Sequence, residues 1–168
     1  MPKGARPASE RVRQAIFSSL ADRVSDAHVL DLYCGSGAYG LEALSRGAAD
    51  AVFVDRDLGS VAACRENACA AHMADDVRIR RADVERYLGR EAAKDGPFDL
   101  VFCDPPYDKH GPEPLLSALS GAVAPTGMVI LETRSRPEGA EVPSGWVLEA
   151  DRRYGDTRVR TYRPSGDT

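Results

Sequence analysis

A chain of 168 residues, 43% hydrophobic and 29% charged, has the size and composition of one globular domain and excludes collagen-like and disordered classes. Its net charge of −4 hides basic ends: Met1–Ser25 carries five Lys/Arg against two Asp/Glu, and Asp151–Thr168 five against three, which leaves an acidic body and two termini suited to a nucleic-acid partner. Pro125 breaks the longest apolar run (Ala118–Leu131), Met1–Arg6 leads into no signal core, and the cysteines and histidines form neither a Cys-x-x-Cys pair nor a cluster, so a cytoplasmic protein with no membrane segment and no metal is expected.

In chain order, Arg6–Leu20 predicts an amphipathic helix. Val12, Ile16, Phe17 and Leu20 recur at helical spacing, Pro7 and Ser9 mark its start, and Arg11 and Arg13 lie on the opposite face. Val29–Tyr33 is a short strand, followed by the turn Cys34–Gly40 and a helix through Leu44 that Gly47 ends. Ala51–Asp55 is the next strand, and Leu58–His72 the next helix. Val77–Ala82 alternates as a strand near a sheet edge does, and Val84–Ala93 is helical. Phe98–Cys103 has the length and composition of a buried strand. Glu113–Val123 then predicts a helix, and Met128–Glu132 a fifth strand. Trp146–Arg153 and Thr157–Tyr162 form a hairpin through Tyr154-Gly155-Asp156. Strands alternating with helices at this spacing predict a mostly parallel, doubly wound, Rossmann-like α/β sheet of seven strands, closed by a C-terminal antiparallel hairpin and preceded by an N-terminal helix. A single domain is expected over 1–168, with a basic helical segment at 1–25 and the core at 26–168.

Ligands in such sheets bind at the carboxyl ends of the strands. Asp31, Asp55, Asp83 and Asp104 occupy those ends, and helix capping is the competing role, above all for Asp83. Gly35-x-Gly37-x-x-Gly40, with Asp55 twenty residues past Gly35, fits a nucleoside cofactor, and a nicotinamide reductase is one reading. Two features favour S-adenosylmethionine. Asp31 sits where a pyrophosphate would be repelled and an ammonium group welcomed. Asp104-Pro105-Pro106-Tyr107 also makes a stiff strand exit, because neither proline offers an N–H and each restricts the residue before it. There a carboxylate and a proline carbonyl can accept from a planar –NH2 group while an aromatic ring stacks on its carrier. Hydride transfer has no use for that arrangement.

With these residues in view, the chain resembles the RsmD family, the bacterial small-subunit (16S) ribosomal RNA guanine-N2 methyltransferases. The matching segments are Arg6-Pro7 with Arg11-Val12-Arg13 and Ile16-Phe17, Asp31 to Gly37, Gly40 to Ala48, Asp104 to Tyr107, and Arg153 to Thr157. Ser18 stands where Asn is common, and members begin with a basic hairpin ahead of the Lys3-Gly4 region. The resemblance implies a class I S-adenosylmethionine-dependent methyltransferase fold. Asp31, Tyr33, Gly35 and Gly37 would line the methionine part of the cofactor, Asp55 and Arg56 the ribose side, and Asp83 and Val84 the adenine. Asp104, Pro105, Pro106 and Tyr107 would seat the guanine amine, and Arg6, Arg11 and Arg13 would touch RNA phosphates. The partner implied is ribosomal RNA, within the small subunit or an assembly intermediate. The same turn would serve adenine N6 in DNA or RNA or a glutamine amide, and a non-catalytic RNA-binding relative is the reading from another class.

Overall fold

The computed structural model describes residues 7–106, 111–134 and 142–166. Arg6 and Tyr107 lie outside the described residues.

The sheet follows from where apolar side chains fall on each strand. Strands β1 (His28–Leu32), β2 (Asp50–Asp55), β4 (Phe98–Cys103) and the central part of β5 (Val123–Arg134) are buried almost throughout, as parallel strands covered on both faces must be. Strand β3 (Val77–Arg81) is only half-buried and takes one edge, as its alternation predicts. The order is β3-β2-β1-β4-β5-β7-β6, with β6 (Trp146–Tyr154) and β7 (Thr157–Pro164) closing it as an antiparallel hairpin. Gly155, at φ 62°, supplies the positive dihedral that opens their two-residue turn.

Each strand sends alternate residues to two layers. Leu30, Val52, Val101, Val129 and Leu131 meet α4 (Val84–Arg90), α5 (Ala92–Asp95) and α6 (Glu113–Leu119) through Tyr87, Leu88, Leu116 and Leu119. Val29, Phe53, Phe102 and Ile130 meet α1 (Pro7–Leu20), α2 (Ala38–Ser45) and α3 (Leu58–Ala70) on the other side. Val12, Ile16, Phe17 and Leu20 are each at most 3% exposed, so the helical spacing in the sequence is the buried stripe of α1.

Three elements differ from expectation by more than two residues. The helix expected over Glu113–Val123 stops at Leu119, where Ser120 turns extended and Gly121 adopts φ 89°; Val123 already belongs to β5. That strand is longer than Met128–Glu132 because its ladder with β4 is irregular: Phe98 pairs with Val123 and Leu100 with Met128, so Pro125 is accommodated in the excursion between them. The helix expected over Val84–Ala93 is divided at Glu91, whose φ of −116° departs from helical geometry.

Candidate active site

The turn after β1 is built on backbone geometry that few residues tolerate. Tyr33 has φ 56°, a left-handed conformation unusual for a non-glycine residue, and Gly35 and Gly37 follow at φ 54° and 90°. The Gly35 N–H donates to Asp55 Oδ2 at 2.9 Å, and the Gly40 N–H donates to Asp31 Oδ2 at 3.0 Å. The third glycine of the motif is required by packing: a Cβ at Gly40 would stand 2.3 Å from the Phe53 ring. Backbone, helix and two strand-end carboxylates are thereby locked into one unit.

Asp55 receives a second bond, from the Asp57 N–H at 2.9 Å, yet its side chain still lines the crevice above the sheet. Asp83 caps α4, its Oδ1 accepting from the N–H groups of Glu85 and Arg86 at 3.0 and 3.4 Å. The capping role anticipated for it is real and coexists with its position on the crevice wall. Asp31 is different. It is 2% exposed, underneath the turn, and absent from the crevice lining. Burial drives its carboxyl well above the usual range against the Gly40 hydrogen bond, with the charges of Asp104 and Asp55 adding to the rise.

The crevice has a volume of about 950 Å³, in the range of small-molecule sites. Tyr33, Asp55, Arg56, Asp83, Val84, Asp104, Pro105 and Pro106 all line it, so eight of the residues singled out from the sequence converge on one hollow. Gly35 and Gly37 do not line it. Leu88, Pro114, Leu115, Ala118 and Leu131 complete an apolar wall that the sequence did not mark, because these residues read there as ordinary helix and strand core. Arg11 is exposed and Arg13 half-buried on α1, outside the crevice. A second hollow of about 700 Å³, bordered by Arg23, Asp26, Asp99 and Glu149, lies at the amino ends of β1 and β4, away from the Gly35–Gly40 turn. Among the described residues, no group of three or more His, Cys, Asp or Glu side chains could hold a metal ion.

At the exit of β4, Asp104 is open to solvent on one side and crowded on the other. Desolvation, with the neighbouring Glu132 carboxylate, pushes its carboxyl up to about 7. Glu132, near the end of β5, accepts a hydrogen bond from the Tyr39 hydroxyl. Neither Glu132 nor Tyr39 was singled out beforehand. The available signal was an acid closing the apolar run Met128–Leu131, the pattern already recognised at the other strand exits.

The arrangement fits an adenosine-type cofactor by its donors. A carboxylate at a strand end suits a ribose diol, an apolar slot beside Asp83 and Val84 suits a flat base, and a glycine turn lets backbone approach the remainder. Comparison with known proteins agrees. The family described as Conserved hypothetical protein 95 matches residues 1–163. Ribosomal RNA small subunit methyltransferase D of Escherichia coli K12 is 33% identical over 162 residues, 95% of this chain and 80% of that protein. The solved structure of yhhF from Escherichia coli superposes with a TM-score of 0.87 at 31% identity, covering 99% of this chain and 91% of that one. An RNA methyltransferase from Salinibacter ruber, in complex with S-adenosyl-L-homocysteine, shares the fold with a TM-score of 0.70 at 20% identity over 93% of this chain and 92% of that one.

Proposed function

The chain belongs to the Conserved hypothetical protein 95 family, which includes the RsmD-type enzymes, and we propose that the crevice over β1, β2 and β4 is where it methylates the N2 amine of a guanine in small-subunit ribosomal RNA. It is an S-adenosylmethionine-dependent ribosomal RNA methyltransferase of the class I fold. The observation that carries the site assignment is the meeting, in one hollow, of Tyr33 and Asp55, which the glycine turn braces through the Gly35 N–H, with the Asp104-Pro105-Pro106 exit.

When bound, S-adenosylmethionine supplies an electrophilic methyl group. The chain's own residues then divide the work. Asp55 and Arg56 hold the ribose, and Asp83 and Val84 the adenine. Tyr33 and the backbone of Gly35 and Gly37 frame the amino-acid part, while Asp31 acts from beneath, by fixing the turn and by its charge. Asp104 and the Pro105 carbonyl accept the two amine hydrogens, drawing the nitrogen lone pair out of conjugation and toward the methyl group, so that positioning and electrostatics do the rest. Tyr107 stacks on a base taken out of its stack. Arg6, Arg11 and Arg13 meet phosphates, in the small subunit or a precursor of it. Among the described residues no helix is long and apolar enough to cross a membrane.

Mass spectrometry of ribosomal RNA nucleosides tests the assignment. Cells lacking the protein are expected to lose N2-methylguanosine at one position, and Asp104→Ala is expected to restore none of it. In vitro that variant is expected to lose at least ~10²-fold in rate while its cofactor dissociation constant stays near the parent value. Loss of N6-methyladenosine instead would move the target base, and full activity of Asp104→Ala would remove the exit turn from the chemistry.

A further inference from the structure

β5 carries a carboxylate to which the reading above gives no task. Strands β4 and β5 run parallel with Phe102 against Ile130 and Cys103 against Leu131, so Asp104 and Glu132 come next on neighbouring strands, about one interstrand spacing of ~4.8 Å apart at the backbone. Phe102 and Ile130 face the α1–α2 layer, and Glu132, two residues on in β5, follows them to that side, while Asp104 stands just past the end of β4 on the crevice. Tyr39, in the first turn of α2, lies flat on Phe102, with ring centroids 5.2 Å apart and 13° between the planes, and its hydroxyl reaches Glu132 Oε2. Glu132 is therefore a fixed group.

We propose that Glu132 is a positioning residue for methyl transfer: clamped by the Tyr39 hydroxyl beside the β4 exit, its negative charge makes Asp104 the acceptor of the proton that the amine gives up. The proposal rests on the reading of Asp104 as the group that receives the amine. The nitrogen lone pair becomes the new N–C bond, the C–S bonding pair stays with sulfur, and the surplus proton on nitrogen moves to an Asp104 oxygen and later to water. An ordinary exposed aspartate, with a pKa of about 3.9, is a weak acceptor at neutral pH. Here desolvation and the charge of Glu132 strengthen it.

Among the described residues, the ionisable groups that act on Asp104 or feel it are Glu132 on β5, Tyr39 on α2, Asp31 on β1 and Cys103 on β4. Those acting on Glu132 include the Tyr39 hydroxyl and Arg13 on α1, both of which favour its charged form against the burial that raises it. α1 thereby touches the chemistry through Arg13, without lining the crevice.

The test is a 13C NMR titration of the Asp104 carboxyl in the free protein, assigned by difference from Asp104→Asn, together with the pH profile of kcat/KM. Glu132→Gln keeps an oxygen for the Tyr39 hydroxyl and removes the charge. The Asp104 midpoint is expected to fall from near 7 toward the ordinary carboxylate range, and the acid limb of the rate profile to move with it. Glu132→Asp, which keeps the charge, is expected to hold the midpoint up. An unchanged midpoint in Glu132→Gln overturns the proposal, and so does an equal fall in both variants, which would indicate packing rather than charge. Because the titration needs neither RNA nor cofactor, its failure is separate from failure of the parent reading, which an active Asp104→Ala would reveal.

Discussion

Asp31 shows what a strand-end acid costs when the fold closes over it. At 2% exposure it keeps one hydrogen bond, to the Gly40 N–H, and burial raises its carboxyl well above the value it has in the unfolded chain. A folded-state pKa above the unfolded one stabilises only below the unfolded value, near 3.9, and that stabilisation is lost as pH rises through the folded pKa. The charged form is thus a burden at neutral pH, one that the role proposed for Asp31 beside the cofactor would explain. Asp31→Asn can keep the bond to Gly40 through Oδ1 and sheds the charge. It is expected to raise the thermal midpoint by about 3 °C at pH 8, the change that ~1 kcal/mol makes in a domain of this size, with no gain at pH 4 and with weaker cofactor binding. Differential scanning calorimetry at the two pH values checks the first part, and isothermal titration the second.

Between elements, one bracket joins the β3 edge to the layer beneath it. Asp95, at the end of α5, accepts from Arg80 of β3 through two nitrogens, at 3.0 and 3.3 Å, and from the Tyr87 hydroxyl of α4 at 2.9 Å. Burial pushes the Asp95 carboxyl up, but the hydrogen bonds from Arg80 and Tyr87 and the charges of Arg80 and Arg78 outweigh it and leave its pKa below the usual range. A depressed pKa gives stability that is present above the unfolded value and lost as pH falls through the folded one. Asp95→Asn is expected to cost roughly 1–3 kcal/mol at pH 7 by urea denaturation, with the difference from the parent shrinking below pH 3. None of this bracket could be read from the sequence, since Arg80 and Asp95 are fifteen residues apart with no local pattern linking them. The exits at Asp55 and Asp104 could be, because each closes a strand-length apolar run, while Asp31 and Asp83 were placed by the glycine turn and by the alternation of Val77–Ala82. Glu132 carries the same signal, an acid after the apolar run Met128–Leu131, but what sets it apart, the hydrogen bond from Tyr39 on α2, joins residues ninety-three apart with no local pattern between them. The burial of Asp31 was equally hidden, because it depends on α2 folding back until Gly40 rests on Phe53.

Across the whole molecule, the two layers of core divide the labour. The layer under α4, α5 and α6 walls the crevice, while the layer under α1, α2 and α3 anchors the glycine turn and holds Glu132 in place through Tyr39. The seven strands and the closing hairpin were legible from the spacing of apolar runs, whereas their order in the sheet was not, and the second layer was legible only as the stripe on α1. The order β5-β7-β6 places the last strand of the chain inside the sheet and the one before it at the rim. During synthesis, β6 can therefore find no seat until β7 has left the ribosome and slotted in against β5. Nascent chains halted at Gly155 are expected to remain open to protease along β5, and the sheet to close only once β7 is made.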